Sequence, residues 1–341
     1  MENYLDSIDI TTIENSFTPS GISFSSLLER ALSGTLDLSP SALMDGALRL
    51  MAGELMAQFT LMRSLFFIAI LSALLKNLTD SFQNKGVGEL GFYVSYIALV
   101  GVAFRSFAMA AASMQDLIGS LTGIMEACLP LMVSLIVMTG NIGGAYVFHP
   151  LVIFIINIGA SVIKNLIVPV IMLGAGIHIV NYLTEHEIIS KFAVLVKLGA
   201  SLSLKSIVIV FAAVLGLQRI SAPILDNLAL KTARSATGAV PVVGDMLTGA
   251  MDTVLSFAQA AKGGVSVAII ISVFTVCALP VLRMLVLVAV YKFTAAAIQP
   301  ICDKRICECI DAIASFSLIL LGAAVSVCVM FIFSVMIMLS F

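Results

Sequence analysis

Ionisable side chains are scarce in this chain, and five of them stand within or at the edges of long apolar runs: Arg105, Glu126, Lys164, Lys205 and Arg283. A charge in hydrocarbon is costly unless it meets protein or water, so such residues mark paths, ion pairs or packing devices. Lys164 and Arg283 sit at the ends of apolar runs, where a long side chain reaches the interface. Arg105 and Glu126 sit deeper. An ion pair between them, on neighbouring spans, would either hold the spans together or line a path. Lys205 joins them as a candidate path-lining or packing charge.

Other familiar chemistries find little support. Cys302, Cys307 and Cys309 are spaced C-x4-C-x-C, but a tetrahedral zinc site wants four ligands and no histidine stands near. The three histidines, 149, 178 and 186, are scattered, and neither an HExxH nor a Walker A pattern occurs. One GxGxxG string, Gly86 to Gly91, joins two apolar stretches and is read as a loop, because a dinucleotide site needs a strand before it. Cys128, Cys277 and Cys328 lie in apolar runs as small hydrophobes. No catalytic residue, cofactor or metal site is expected, and the chain is not read as an enzyme.

The elements that must carry these residues follow from composition. Of 341 residues, 60% are hydrophobic and 11% charged. A soluble domain carries about 25% charged residues, so lipid must solvate much of this chain. Disorder is excluded by the same numbers. The net charge of -2 leaves no basic surface for nucleic acid. An all-α polytopic membrane protein is expected, with room for about seven to nine transmembrane helices at roughly 20 residues each.

Residues 1–56 form an acidic N-terminal region, with eight acids against Arg30 and Arg49. It holds two short amphipathic helix candidates. One is opened by the capping-box pattern Ser26 to Glu29 and closed by Gly34; the other places Leu43, Leu48, Met51 and Leu55 near one face. No basic stretch followed by an apolar run precedes this region, so no secretory signal is read in this numbering. The polytopic domain is 57–341. Its spans are expected at 58–78, 90–113, 117–139, a fourth between the Gly140–Gly144 cluster and Lys164, then 165–183, 192–218, 264–282, 283–298 and 312–341.

Residues 219–263 are more polar and are read as two short helices around a Gly/Pro break at 238–244, either a surface hairpin or a re-entrant pair. Lys231, Arg234, Pro241, Gly244, Asp245 and Asp252 make this the candidate docking segment. The excess of acids ahead of Lys76 and Lys85 sets the head on the non-cytoplasmic side.

Three stretches carry a resemblance: TGNIGGAYVFHPLVIFIINIGASVIKNLIVPVI (139–171), LALKTARSATGAVPVVGDMLTGAMDTVL (228–255) and YKFTAAAIQPICDKRICECI (291–310). They resemble the stage III sporulation protein AE family of endospore-forming bacteria. The resemblance implies a multi-pass protein of the mother-cell membrane around the forespore, a transmembrane component of a channel or secretion complex. The partners it implies are channel proteins of the same operon, including a cytoplasmic ATPase and ring-forming membrane proteins. A forespore membrane protein across the gap and the lipid bilayer complete the list. Family members usually carry a secretory signal before the head, so a trimmed or alternative start is expected here. The rival reading is a self-sufficient secondary transporter of a small solute, with Glu126, Pro130 and the 238–244 break as its raw material.

Overall fold

The computed structural model describes residues 40–81, 85–138, 154–182, 190–237 and 243–339, with side chains chiefly at 51–75, 90–134, 154–182, 191–216 and 265–335. Among the described residues six helices follow one another: α1 (Pro40–Ser81), α2 (Lys85–Met138), α3 (Phe154–Asn181), α4 (Ser190–Thr237), α5 (Val243–Ile298) and α6 (Lys304–Leu339). No strand occurs among the described residues. Each of the six contains a stretch long and apolar enough to cross a membrane.

The helices outrun the bilayer. α2 has 54 residues and α5 has 56, about 80 Å each at 1.5 Å per residue against a hydrocarbon core of about 30 Å. One end of the bundle is pinned. Gly91 of α2 packs against Leu75 of α1. The Tyr96 hydroxyl donates to the Ile179 carbonyl at 2.9 Å, tying α2 to the end of α3. The Cys302 thiol, in the turn between α5 and α6, donates to the Ala69 carbonyl at 3.1 Å. From this end the excess length of α2, α4 and α5 runs toward the opposite one.

α6 is the hub. It packs on α2, α3, α4 and α5, and half of its most apolar stretch is buried, against 17% for α4. Alanines on its faces, among them Ala312, Ala314, Ala323 and Ala324, let neighbouring helices come close. Phe107, Phe316 and Phe331 fill the spaces between. Tyr291 of α5 donates to the Ala103 carbonyl of α2 at 2.9 Å, so a buried hydroxyl is satisfied where water is absent. The outer faces stay apolar: Phe67, Leu74, Leu195, Ile209 and Phe274 are exposed, as lipid contact requires.

Several sequence-based boundaries shift. The expected spans 90–113 and 117–139 are one helix, α2, and 264–282 and 283–298 are one helix, α5. Lys164 likewise falls inside α3 instead of dividing two spans. Isolated charges and prolines mark span ends only when the backbone has nowhere else to satisfy its groups; inside a packed bundle the helix continues through them. The GxGxxG string is not a loop either, since Gly86 to Gly91 lie in the first turns of α2. The second amphipathic candidate continues without a break into the first span as α1, opened by Pro40 where a missing N–H costs nothing. The arms expected as short helices around 238–244 are the ends of α4 and α5. The 26–34 candidate and the glycine cluster at 140–144 lie outside the described residues.

Candidate functional site

α3 does not run evenly. Over Ile163–Ile167 it widens into a π-helical turn, in which the Val168 N–H donates to the Ile163 carbonyl. Pro169 is the local cause. It has no N–H for Asn165, four residues back, and its ring crowds that carbonyl. The wider turn relieves the clash, but it strands the Lys164 carbonyl. Its ordinary donor, Val168, is taken, and the donor one residue further on is the proline itself. Gln115 of α2 supplies the missing bond, its side-chain amide donating to the Lys164 carbonyl at 3.3 Å. Turns of this kind cluster at functional sites.

Around this turn α2 and α3 enclose a groove of about 1050 Å3. On α2 its wall carries Gly119, Thr122 and Glu126; on α3 it carries Asn157, Ser161, Lys164 and Asn165. With Gln115, the α2 positions are spaced four, three and four, one face of a helix. The Lys164 side chain lies across Gly119. A β-carbon there would stand 2.8 Å from its Nζ, so glycine is what lets the lysine pass. Asn165 donates to Ser161 at 3.0 Å, and Thr122 donates back to the Ile118 carbonyl at 2.8 Å. Pro130 leaves the Glu126 carbonyl without its helical donor. The groove thus gathers an acid, a base, two amides, two hydroxyls and loosened backbone. Its mouth lies at the protein surface: Glu126, Ser161 and Asn165 are exposed beside exposed Phe154 and Ile158.

The sequence candidates distribute over the bundle. Glu126 lines the groove with Lys164, which sequence read as an interface lysine. Arg105 does not pair with Glu126. Both lie on α2, 21 residues apart, which is about 30 Å along one helix. Arg105 lines a second cleft, between α1, α2 and α5. There Arg283 donates through Nε to Glu54 at 2.8 Å. Lys205 is exposed on α4, next to buried Leu204, and joins neither cavity. Lys231 and Arg234 fall on α4, and Gly244, Asp245 and Asp252 on α5. Their side chains, and Pro241 altogether, lie outside the described residues.

Near the pinned end a third cavity, of about 700 Å3, is lined by His178, Lys197, Lys292, Cys307, Glu308 and Asp311, with Lys292 paired to Asp311 at 2.6 Å. The three closely spaced thiols go separate ways. Cys302 bonds Ala69, Cys307 borders this cavity, and Cys309 is buried beside Tyr96. Gln115, Gly119, Asn157, Ser161 and Asn165 were not singled out from sequence. Their spacing of four on each of two helices was the available signal, hidden because single amides and hydroxyls are common in membrane helices.

These features define an integral membrane protein: six long apolar helices, an apolar outer face, and a polar groove between two of them. The stage III sporulation protein AE family model matches residues 22–341, and the chain belongs to that family. It is similar to the stage III sporulation protein AE of Bacillus subtilis (strain 168), with 28% identity over 310 residues, 91% of this chain and 78% of the relative. No solved structure matches it. Membership of this family ties the protein to sporulation.

Proposed function

We propose that this protein is a non-enzymatic transmembrane component of a multi-protein channel or secretion complex between mother cell and forespore. In this reading it sits in the mother-cell membrane. The observation that carries it is the open polar groove between the apolar helices α2 and α3. A protein working alone in lipid would turn such polar groups inward, because hydrocarbon cannot satisfy them. A groove that holds Glu126 and Lys164 at an open mouth suits a membrane partner that supplies the missing contacts. Channel proteins of the same operon, a cytoplasmic ATPase among them, and a forespore membrane protein are the partners of this proposal. The ends of α4 and α5, with Lys231, Arg234, Asp245 and Asp252, offer a second contact region on the projecting side.

The test is allele replacement in an endospore-forming host. Glu126→Leu combined with Lys164→Leu should leave membrane levels normal, arrest spore development, and lose the partners that copurify with the parent protein. Wild-type sporulation by this double variant would remove the groove from the function. The rival transporter reading has one observation in its favour, the Glu, Lys and proline-loosened carbonyls brought together in one groove. Purified protein that moves a solute into liposomes without partners would decide for it.

A further inference from the structure

We propose that the cleft between α1, α2 and α5 holds the phosphodiester headgroup of an anionic phospholipid. Arg105 of α2 and Arg283 of α5 line a cavity of about 460 Å3 together with Thr60 and Ser64 of α1 and Ser106 of α2. Among the described residues its charges do not balance. Arg283 is paired with Glu54, but Arg105 has no ion partner among the described residues. Two guanidinium groups against one carboxylate leave a single positive charge, and a phosphodiester carries a single negative one. Guanidinium nitrogens and hydroxyls are the donors that phosphate oxygens accept from. The pair to Glu54 runs through Nε of Arg283, and its two terminal nitrogens carry further N–H groups.

Position points to a lipid over a free ion. The apolar run of α1 begins near residue 57, just past the acidic region, so Glu54 lies immediately ahead of it and Thr60 within its first turn. That is the level of a headgroup. Beside the polar cleft, Met56, Phe59 and Met109 are exposed, giving acyl chains an apolar flank. Pro280, on the α5 wall, cannot donate to the Val276 carbonyl, and a helix loosens where such a bond is missing. Unlike the α2–α3 groove, this cleft needs no protein partner to be complete, so the inference stands independently of the channel reading.

The experiment uses the full chain, purified in detergent and stripped of lipid. Phosphatidylglycerol, diacylglycerol of the same chains, and inorganic phosphate are each added. Bound lipid is counted by native mass spectrometry, and thermal unfolding is followed in parallel. Phosphatidylglycerol should be retained and should raise the melting temperature, while the other two should do neither. Arg105→Gln should lower retention about tenfold, the effect of losing one charge-assisted hydrogen bond, with Lys191→Gln, on the exposed start of α4, unchanged. If Arg105→Gln does not purify folded, Arg105→Lys keeps the charge, loses the planar fork, and should show a smaller loss in the same direction. Equal stabilisation by diacylglycerol would overturn the headgroup site. Equal stabilisation by inorganic phosphate would reassign the cleft to a free anion. Unchanged retention in both arginine variants would overturn the proposal as well.

Discussion

A β-carbon added at Gly119 meets the Nζ of Lys164 at 2.8 Å, while one added at Gly174 meets Val196 Cγ1 at 2.7 Å and Phe316 Cε1 at 2.9 Å. The distances are alike but the neighbours are not. Nζ is the free end of a flexible chain, whereas Phe316 is buried in the core and Val196 branches at its β-carbon. Gly174→Ala should therefore destabilise by about 1–3 kcal/mol through overpacking. Gly119→Ala should change thermal stability little, since Lys164 swings aside, and yet impair the groove's function. Comparable losses of melting temperature in both variants would contradict this. Cys302 gives a second residue-level expectation. Burial, with Cys307 and Asp303 adding, pushes its thiol up to about 11 from 9.0. Because the folded thiol holds its proton more tightly than the unfolded one, this contribution to stability is present below pH 9 and is lost as pH rises through 11. Alkylation of Cys302 in the folded protein should be slow at pH 7.5 and accelerate steeply above pH 10; labelling at the rate of a free thiol at pH 7.5 would refute it. At this scale sequence went part of the way. Glu126 and Arg105 stand out in any apolar run, but the pair imagined between them fails because both ride on one helix. Lys164 is a groove residue because Gly119 on the facing helix leaves room for its side chain to cross.

Among the elements, the π-helical turn of α3 is the most specific. Its stranded Lys164 carbonyl depends on Gln115. Gln115→Leu should cost about 1 kcal/mol, the low end of the penalty for an unpaired acceptor, because the site is only part-buried. Pro169→Ala supplies an N–H five residues beyond Lys164, which the widened turn can use. The double variant should thus be more stable than the sum of the two single changes, as measured in a thermal double-mutant cycle. Strictly additive losses would show that Gln115 does not serve that carbonyl. The spans themselves were legible because apolar length is read directly from composition, and all six described helices cover stretches that sequence marked as apolar. Their continuity was not. The divisions read between 113 and 117 in α2, and at Pro280 and Arg283 in α5, are not breaks in the backbone, and packing against neighbouring helices lets the chain run through them. The π turn left no direct mark beyond Pro169, because the bond that completes it is made across to another helix.

For the molecule as a whole, the acidic region 1–56 should lie on the non-cytoplasmic side. A single cysteine at Thr18, in a protein with its six cysteines replaced, should react with an impermeant thiol reagent applied to the outer face of intact cells. Reaction only after lysis would invert the topology. The family was legible from three stretches of sequence, since the polar string at 228–255 between apolar spans is unusual. The groove was not, because it exists only where α2 and α3 meet. Its role is tested most directly by photocrosslinking in sporulating cells. A photoreactive residue replaces Asn165 at the groove mouth in one strain and Phe274, on the apolar face of α5, in another. The groove position should give a discrete adduct with a second polypeptide during sporulation, and the α5 position should give lipid adducts alone. Lipid adducts alone at both positions would contradict the claim that the groove is where this protein meets its complex.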